Sequence, residues 1–317
     1  MKSNSLRVLL LGYGNVGKAL RKMVRERAPS LGLNVRIEGI VTRRGIMLGD
    51  SEEFRKTKDG TPIDALNEVS PDLVIDVSSA NYETGEPSLS LYMEALSRGI
   101  AVITANKAPL ALKYAEIVGQ AKKHGAFLGF QATVMSGTPS INLLRLLRGS
   151  TILKIRGILN GTTNYILTRM DQGLEYSQAL REAQEKGYAE ANPEHDVNGF
   201  DAAAKLTILT NFAMGRNISI RDVDFSGIAN VTLSRIEEAK RRSRKLKLVA
   251  VSEGKTSKVS LTEVSPEDPL YHVDGVINTL DIHSDIQEVV ITGPGAGPQN
   301  AAFGVFSDIV LMSNGLI

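Results

Sequence analysis

From Leu6 onward, short apolar runs alternate with segments whose apolar residues recur every three or four positions. LRVLLLG, VRIEGIV, DLVIDVSS and AVITANK read as strands. Helical periodicity runs from Val16 to about Arg27, near Leu66, from Leu89 to Arg98 and from Ala108 to His124, and AFLGFQATV predicts one more strand. Such alternation is the sequence form of a parallel sheet with crossover helices. From Ser136 the pattern changes. It predicts a helix at Ser140 to Leu147, a strand at KIRGILN, several helices through Met214, and strands at KLKLVAVS and KVSLTEV, an α+β order. EVVITGPGAGPQNAAFGVFSDIVLMSN then predicts a strand, a glycine-rich turn and a closing helix that returns to the first half.

Composition changes this picture little. Of 317 residues, 42% are apolar and 23% charged, and the formal net charge is +2. These values describe an ordinary globular chain with no global pull toward nucleic acid or a membrane surface. The partners expected are small molecules or copies of the same chain. No apolar run approaches the roughly 20 residues of a membrane span and no signal-peptide pattern opens the chain, so a cytoplasmic protein is expected. Cysteine is absent, which excludes disulfides, thiolate metal sites and a covalent thiol mechanism.

Candidate chemistry begins at GYGNVG, the loop Gly12, Tyr13, Gly14, Asn15, Val16 and Gly17 between the first strand and the first helix. In that context the pattern fits a dinucleotide loop. Gly12 makes the tight turn, Gly14 lets backbone approach a pyrophosphate, and Gly17 lets helix meet sheet. The expected architecture is therefore α/β: a Rossmann domain of residues 1–134 with 295–317 returning, and an α+β substrate domain of residues 135–294. After the second strand stand Arg43 and Arg44 rather than an acid, which suits the extra 2′-phosphate of NADP over NAD; two solvated loop arginines are the bland alternative.

Ser78 and Ser79 follow DLVIDV, and Asn106 and Lys107 follow AVITA, so all four belong to the carboxyl rim where open α/β sheets place ligands. Turn-forming serines and a solvated lysine would explain the same residues. Asn160, Gly161 and Thr162 open a helix, where capping is sufficient cause, although their backbone N–H groups also suit a substrate carboxylate. Asp201 and Lys205 share a helix face. They are either a minor surface ion pair or a partly buried lysine with its acid, and Glu190 and Asp196 lie just upstream. The basic run Arg235 to Lys247 reads as a solvated helix end, since no aromatic residues interleave for base stacking.

GYGNVG, TANKAPL, GILNGTTNYIL, GYAEANPEHDVNGFDAAAKL and GPGAG, in this order, resemble the homoserine dehydrogenase family, in the short form without kinase or regulatory domain. The resemblance implies reduction of L-aspartate 4-semialdehyde to L-homoserine with NADPH or NADH, in threonine and methionine biosynthesis, by a homodimer or larger homo-oligomer. It further implies Lys205 as proton donor with Asp201 beside it, Lys107 near the nicotinamide, Glu190 and Asp196 at the substrate's amino group, and Gly297 at the cofactor. A cysteine-dependent semialdehyde dehydrogenase is excluded by composition. Two rivals stay open: another amino- or hydroxy-acid dehydrogenase on this scaffold, and a non-catalytic NADP-binding sensor.

The chain also departs from the family. Gln131 stands where a glutamate usually opens a monovalent-cation loop, leaving the carbonyls of Val134, Ser136 and Thr138 as the implied Na+ ligands. Asn192, His195 and Asn300 likewise replace the usual residues.

Overall fold

The computed structural model describes residues 5–316. The chain divides into two compact units, one extending to Ile141 and resuming at Ala296, the other Asn142–Gly295.

The first unit is built on strands β1 (Leu6–Leu11), β2 (Val35–Thr42), β3 (Gly45–Leu48), β4 (Leu73–Asp76), β5 (Ala101–Thr104) and β6 (Leu128–Gly129). Their order across the sheet is β3-β2-β1-β4-β5-β6. All pairs are parallel except β3, which folds back antiparallel on β2. Helices α1 (Asn15–Arg27), α2 (Pro62–Val69), α3 (Ser88–Ser97) and α4 (Lys107–His124) make the crossovers, and the closing helix Pro298–Ser313 packs against α1. Val8, Leu10, Ile75 and Ile103 of the strands join Leu20, Phe306 and Ile309 of the helices in one buried cluster. This is the doubly wound arrangement of a Rossmann domain, with β1 and β4 adjacent at its centre.

The glycine loop is fixed by close approach. Gly12 has φ +94°, and a Cβ there would lie 2.7 Å from the backbone nitrogen of Ser78; one at Gly17 would lie 2.6 Å from the Gly12 carbonyl oxygen. A Cβ at Gly14 would meet nothing within 4 Å. The first and third glycines thus let β1, α1 and the end of β4 come together, while the second faces open space.

The second unit carries β7 (Ile152–Ile158), β8 (Asp224–Phe225), β9 (Lys245–Glu253), β10 (Thr256–Val264), β11 (Ile277–Ser284) and β12 (Glu288–Pro294). Their order is β12-β11-β7-β9-β10-β8, antiparallel except where β8 pairs with β10. Helix α5 (Ser140–Leu146) lies at the division between the units, followed by α6 (Gly161–Asp171), α7 (Tyr176–Glu185), α8 (Glu194–Val197), α9 (Phe200–Met214) and α10 (Leu233–Arg241). Helix α9 packs on β7, β9 and β10, and α6 on β9.

Three readings of the pattern are corrected. Of AFLGFQATV only Leu128–Gly129 is strand, because Gln131–Thr133 turns into a 3-10 helix that buries the Gln131 side chain. Strand β11 escapes the hydrophobic pattern because Asn278, Thr279 and Asp281 are buried within it. The basic run near residue 240 is not all solvated helix end. Its last residues enter β9, where Lys247 is 1% exposed and donates to the carboxylate of Asp274 at 2.8 Å. Burial pushes the Lys247 ammonium below its usual range, opposed by that carboxylate.

Replacing Gly12 by alanine is expected to destabilise the protein by about 2–4 kcal/mol, from an unfavourable φ and a methyl driven into the backbone after β4. A urea midpoint within error of the parent would contradict this account of the loop.

Candidate active site

At the carboxyl rim of the first sheet, α1 begins with Gly14 as its N-cap, no side chain caps that end, and no acid stands in its first turn. A helix N-terminus left without a side-chain acceptor, beside a glycine facing open space, fits a dinucleotide pyrophosphate. Tyr13 is buried and its hydroxyl donates to the Ser51 carbonyl, so its ring forms part of the wall rather than projecting outward. Beside the loop is a cleft of about 1170 Å³ lined by Tyr13, Asn15, Lys18, Arg21, Arg25 and Arg55 among others.

Arg43 and Arg44 form the exposed turn of the β2–β3 hairpin. The Arg44 guanidinium stacks over Phe54 at 4.6 Å from the ring centre, which holds it extended from the turn. Lys56 pairs with Asp59 at 2.8 Å and Lys58 pairs with Glu68, so both lysines have acids at hand.

Beneath Ser78 and Asn106 lies a network that the sequence reading missed. The buried Asp76 carboxyl accepts from the Ser78 backbone N–H at 2.8 Å, from the Tyr92 hydroxyl, and from the Asn106 side-chain amide at 3.3 Å. The same amide reaches Ser88 Oγ at 3.1 Å, and Asn106 Oδ1 accepts the Ala108 N–H, capping α4. Burial, reinforced by Asp76, pushes the Tyr92 phenol well above its usual range. Asp76 ties the loops after β4 and β5 together and so sets where Ser78 and Lys107 stand. The available signal was an acid ending the otherwise apolar run LVID.

In the second unit, Lys205 lies in a helix whose residues 202 to 211 are all buried, and is itself 7% exposed. Its ammonium donates to Asp201 Oδ2 at 2.7 Å and to the Leu159 carbonyl at the end of β7 at 2.7 Å. The surface-pair alternative therefore fails on burial. Next along the chain, the Asn160 amide donates to Asp201 Oδ2 at 2.9 Å and to Asp196 Oδ1 at 2.7 Å. Its oxygen accepts the Thr163 N–H at 2.9 Å as the N-cap of α6. The Thr162 hydroxyl lies 3.0 Å from Asp196 Oδ2 and 2.8 Å from the Tyr188 carbonyl. Gly161 is pressed on the loop before β11, where a Cβ would come 2.8 Å from the Val276 carbonyl.

Lys205, Asp201, Asn160, Asp196 and Thr162 thus form one continuous network. Glu190 is not drawn into it: its side chain is exposed, and only its backbone carbonyl is bonded, to Gln184. The unusual residues have local work. Asn192 Oδ1 accepts the Glu194 N–H at 3.3 Å, and His195 packs against Phe200 with ring centres 5.1 Å apart. Asn300 donates to the Ala296 carbonyl at 2.9 Å, bracing the turn at Gly297, which has φ +106°.

Around the 131–138 segment, Gln131 Nε2 donates to the Thr138 carbonyl at 2.6 Å and the Ser136 carbonyl at 3.2 Å, and Ser140 Oγ donates to the Val134 carbonyl at 2.7 Å. Among the described residues no cluster of His, Asp and Glu has the makings of a metal site, and no helix is long and apolar enough to cross a membrane.

A family model described as the NAD-binding domain of homoserine dehydrogenase matches residues 12–131, and one described as homoserine dehydrogenase matches residues 139–310. The chain belongs to the homoserine dehydrogenase family. It is 55% identical to a homoserine dehydrogenase of Sulfurisphaera tokodaii, over 97% of this chain and 98% of that one. It is 33% identical to an NAD(+)-dependent homoserine dehydrogenase of Pseudomonas canavaninivorans, covering 96% and 95%. Among solved structures, a hyperthermophilic archaeal homoserine dehydrogenase in complex with NADPH matches with a TM-score of 0.87 and 30% identity, covering 98% of each chain. As in the rest of its family, the chemistry is that of an NAD(P)-dependent oxidoreductase.

Asn160 joins two carboxylates while capping α6. Its replacement by alanine is expected to cost about 1–3 kcal/mol, the sum of a lost cap and carboxylate oxygens left short of donors. Thermal unfolding of that variant checks the figure, and an unchanged midpoint would show that the network carries no weight.

Proposed function

We propose that the protein reduces L-aspartate 4-semialdehyde to L-homoserine, with Lys205 as the proton donor and NADPH as the preferred reductant. The observation that carries this reading is the buried Lys205–Asp201 pair. Hydride addition to an aldehyde builds negative charge on oxygen, and a desolvated ammonium both stabilises that charge and supplies the proton. The nicotinamide, when bound, supplies the hydride, so the protein needs no nucleophile of its own.

Lys205 spends two of its three N–H groups on Asp201 and Leu159, which leaves the third for the substrate oxygen. As the proton leaves, the Asp201 carboxylate, held in place by Asn160, keeps the lysine oriented. Lys107, at the start of α4 on the rim braced by Asp76, is assigned to the nicotinamide and carbonyl end, with Ser78, Ser79 and Gly297 at the same cofactor. Gly12 to Gly17 would hold the pyrophosphate, and Arg43 and Arg44 a 2′-phosphate.

At the start of α6, the Asp196 carboxylate already bonds Asn160 and the Thr162 hydroxyl. A second anion there would meet a like charge, so this corner favours the substrate's ammonium over its carboxylate. Glu190 would join it by movement of the exposed segment around residues 186–192, and Gly161 would offer backbone only. This two-carboxylate corner favours an amino-acid substrate over a plain hydroxy acid, and the intact Lys205 pair weighs against a non-catalytic sensor.

A homodimer working in the cytoplasm completes the proposal. Outer strand β12 and the turn before it present Val290 and Ile286, 46% and 76% exposed, as apolar surface for a second copy.

Oxidation of homoserine with NADP+ or NAD+, followed by absorbance of the reduced cofactor, tests the activity; no turnover with either would sink it. Lys205→Ala is expected to lower kcat by a factor of about 10² or more with cofactor affinity retained, and a near-parental rate would remove Lys205 from the chemistry. Arg43→Ala combined with Arg44→Ala should weaken NADPH about tenfold or more and leave NADH nearly unchanged, because a charge-assisted contact to the 2′-phosphate is lost. Titration of each cofactor decides it, and equal losses would refute phosphate recognition.

A further inference from the structure

The segment 131–138 follows β6 and lies against the closing helix. Gln131 is fully buried, and its backbone N–H donates to Asp308 Oδ2 of that helix at 2.8 Å. Met135 and Ser136 both adopt positive φ, +55° and +56°, although neither is glycine and both are buried. Each such residue costs on the order of 1 kcal/mol, so something must repay the fold for holding them. The strained turn brings the Ser136 and Thr138 carbonyls round to face the Gln131 side chain. It is also wedged tightly. A Cβ on Gly137 would lie 2.6 Å from the Asn300 carbonyl oxygen, and one on Gly304 would lie 2.5 Å from that of Ser136.

A buried turn whose carbonyl oxygens converge is the donor set a hard cation takes. The converging oxygens here already have acceptor duties. Thr138 O accepts both Gln131 Nε2 at 2.6 Å and the Ser140 N–H at 2.7 Å. Ser136 O accepts the second hydrogen of the same amide, and Val134 O the Ser140 hydroxyl. The group at the centre is an NH2, which points hydrogens outward and cannot ligate a metal. The residues implied as Na+ ligands therefore do not fit that ion.

We infer that the Gln131 side-chain amide stands in for a monovalent cation: its two N–H groups satisfy the carbonyls that a bound ion would otherwise coordinate, and the protein is closed and active without Na+. The inference is independent of the substrate, since it concerns how the loop is neutralised. A neutral amide facing two carbonyl dipoles is balanced. A carboxylate in its place would confront the same oxygens with no donor of its own and would need a cation between them.

The test compares thermal unfolding and homoserine turnover at equal ionic strength in sodium, potassium and tetramethylammonium chloride. The parent protein is expected to show the same midpoint and rate in all three, with no protein-dependent broadening of the sodium NMR line. Gln131→Glu is expected to unfold lowest in tetramethylammonium and to gain about 3 °C or more in sodium, a cation site created by one substitution. Gln131→Met, which removes the donors without adding charge, should lose stability equally in the three salts and guards against a Glu variant that fails to fold. Selective stabilisation or activation of the parent by sodium would overturn the inference. So would a Gln131→Glu protein indifferent to the cation, or a Gln131→Met protein as stable as the parent.

Discussion

An ammonium group buried in a helix of alanine and leucine is the constraint on which the second unit depends. Desolvating Lys205 is costly unless its hydrogens are met by oxygen. Two elements are brought to meet them: α9 itself supplies Asp201 one turn back, and the end of β7 supplies the Leu159 carbonyl. Once Leu159 is committed, the next residue is committed too, because Asn160 must leave the strand and start α6 while its amide reaches the same acid. Packing of α9 on the sheet, the turn at the end of β7 and the start of α6 are therefore one requirement seen from three sides.

Asn160 is the economical element of that arrangement. A carboxamide offers two donors and one acceptor in a plane, and here one donor serves each of two acids while the acceptor caps a helix. The two carboxylates sit on a common bridge. The first unit shows the same logic with the signs changed: Asp76 takes its donors from three separate segments and fixes the rim to which Lys107 belongs.

Legibility in the sequence followed how far each feature depends on neighbours in the chain. The β1–loop–α1 unit could be read because strand, glycine loop and helix follow one another directly in the chain, although only Gly17 answers to its own loop while Gly12 answers to the backbone of Ser78 after β4. The parallel strands could be read from their apolar runs. Lys205 and Asp201 were visible as a pair, yet their burial was undecided, since an i,i+4 acid and lysine look alike on a wet face and a dry one. Where polar residues go inside, the pattern misleads. Strand β11 hides behind buried Asn278, Thr279 and Asp281, and Lys247 closes a run that reads as solvated although it lies in β9. Asp76 and Tyr92 meet only after the sheet has formed, and no spacing along the chain announces them.

The buried lysines Lys205 and Lys247 and the buried amides Gln131 and Asn160 show why charge alone does not mark a site. Lys247 is more deeply buried than Lys205, but it has a half-exposed acid and the carbonyl of Val273 beside it, and it ties the loop ahead of β11 to α6 through Asn164. Its hydrogens are all engaged, so it has nothing to give a substrate. Lys205 has two partners and a remaining hydrogen. Gln131 and Asn160 divide in a parallel way. The first donates to the Ser136 and Thr138 carbonyls of its own loop; the second donates to two carboxylates while capping a helix. A buried polar group becomes chemistry where its hydrogen bonds leave a remainder.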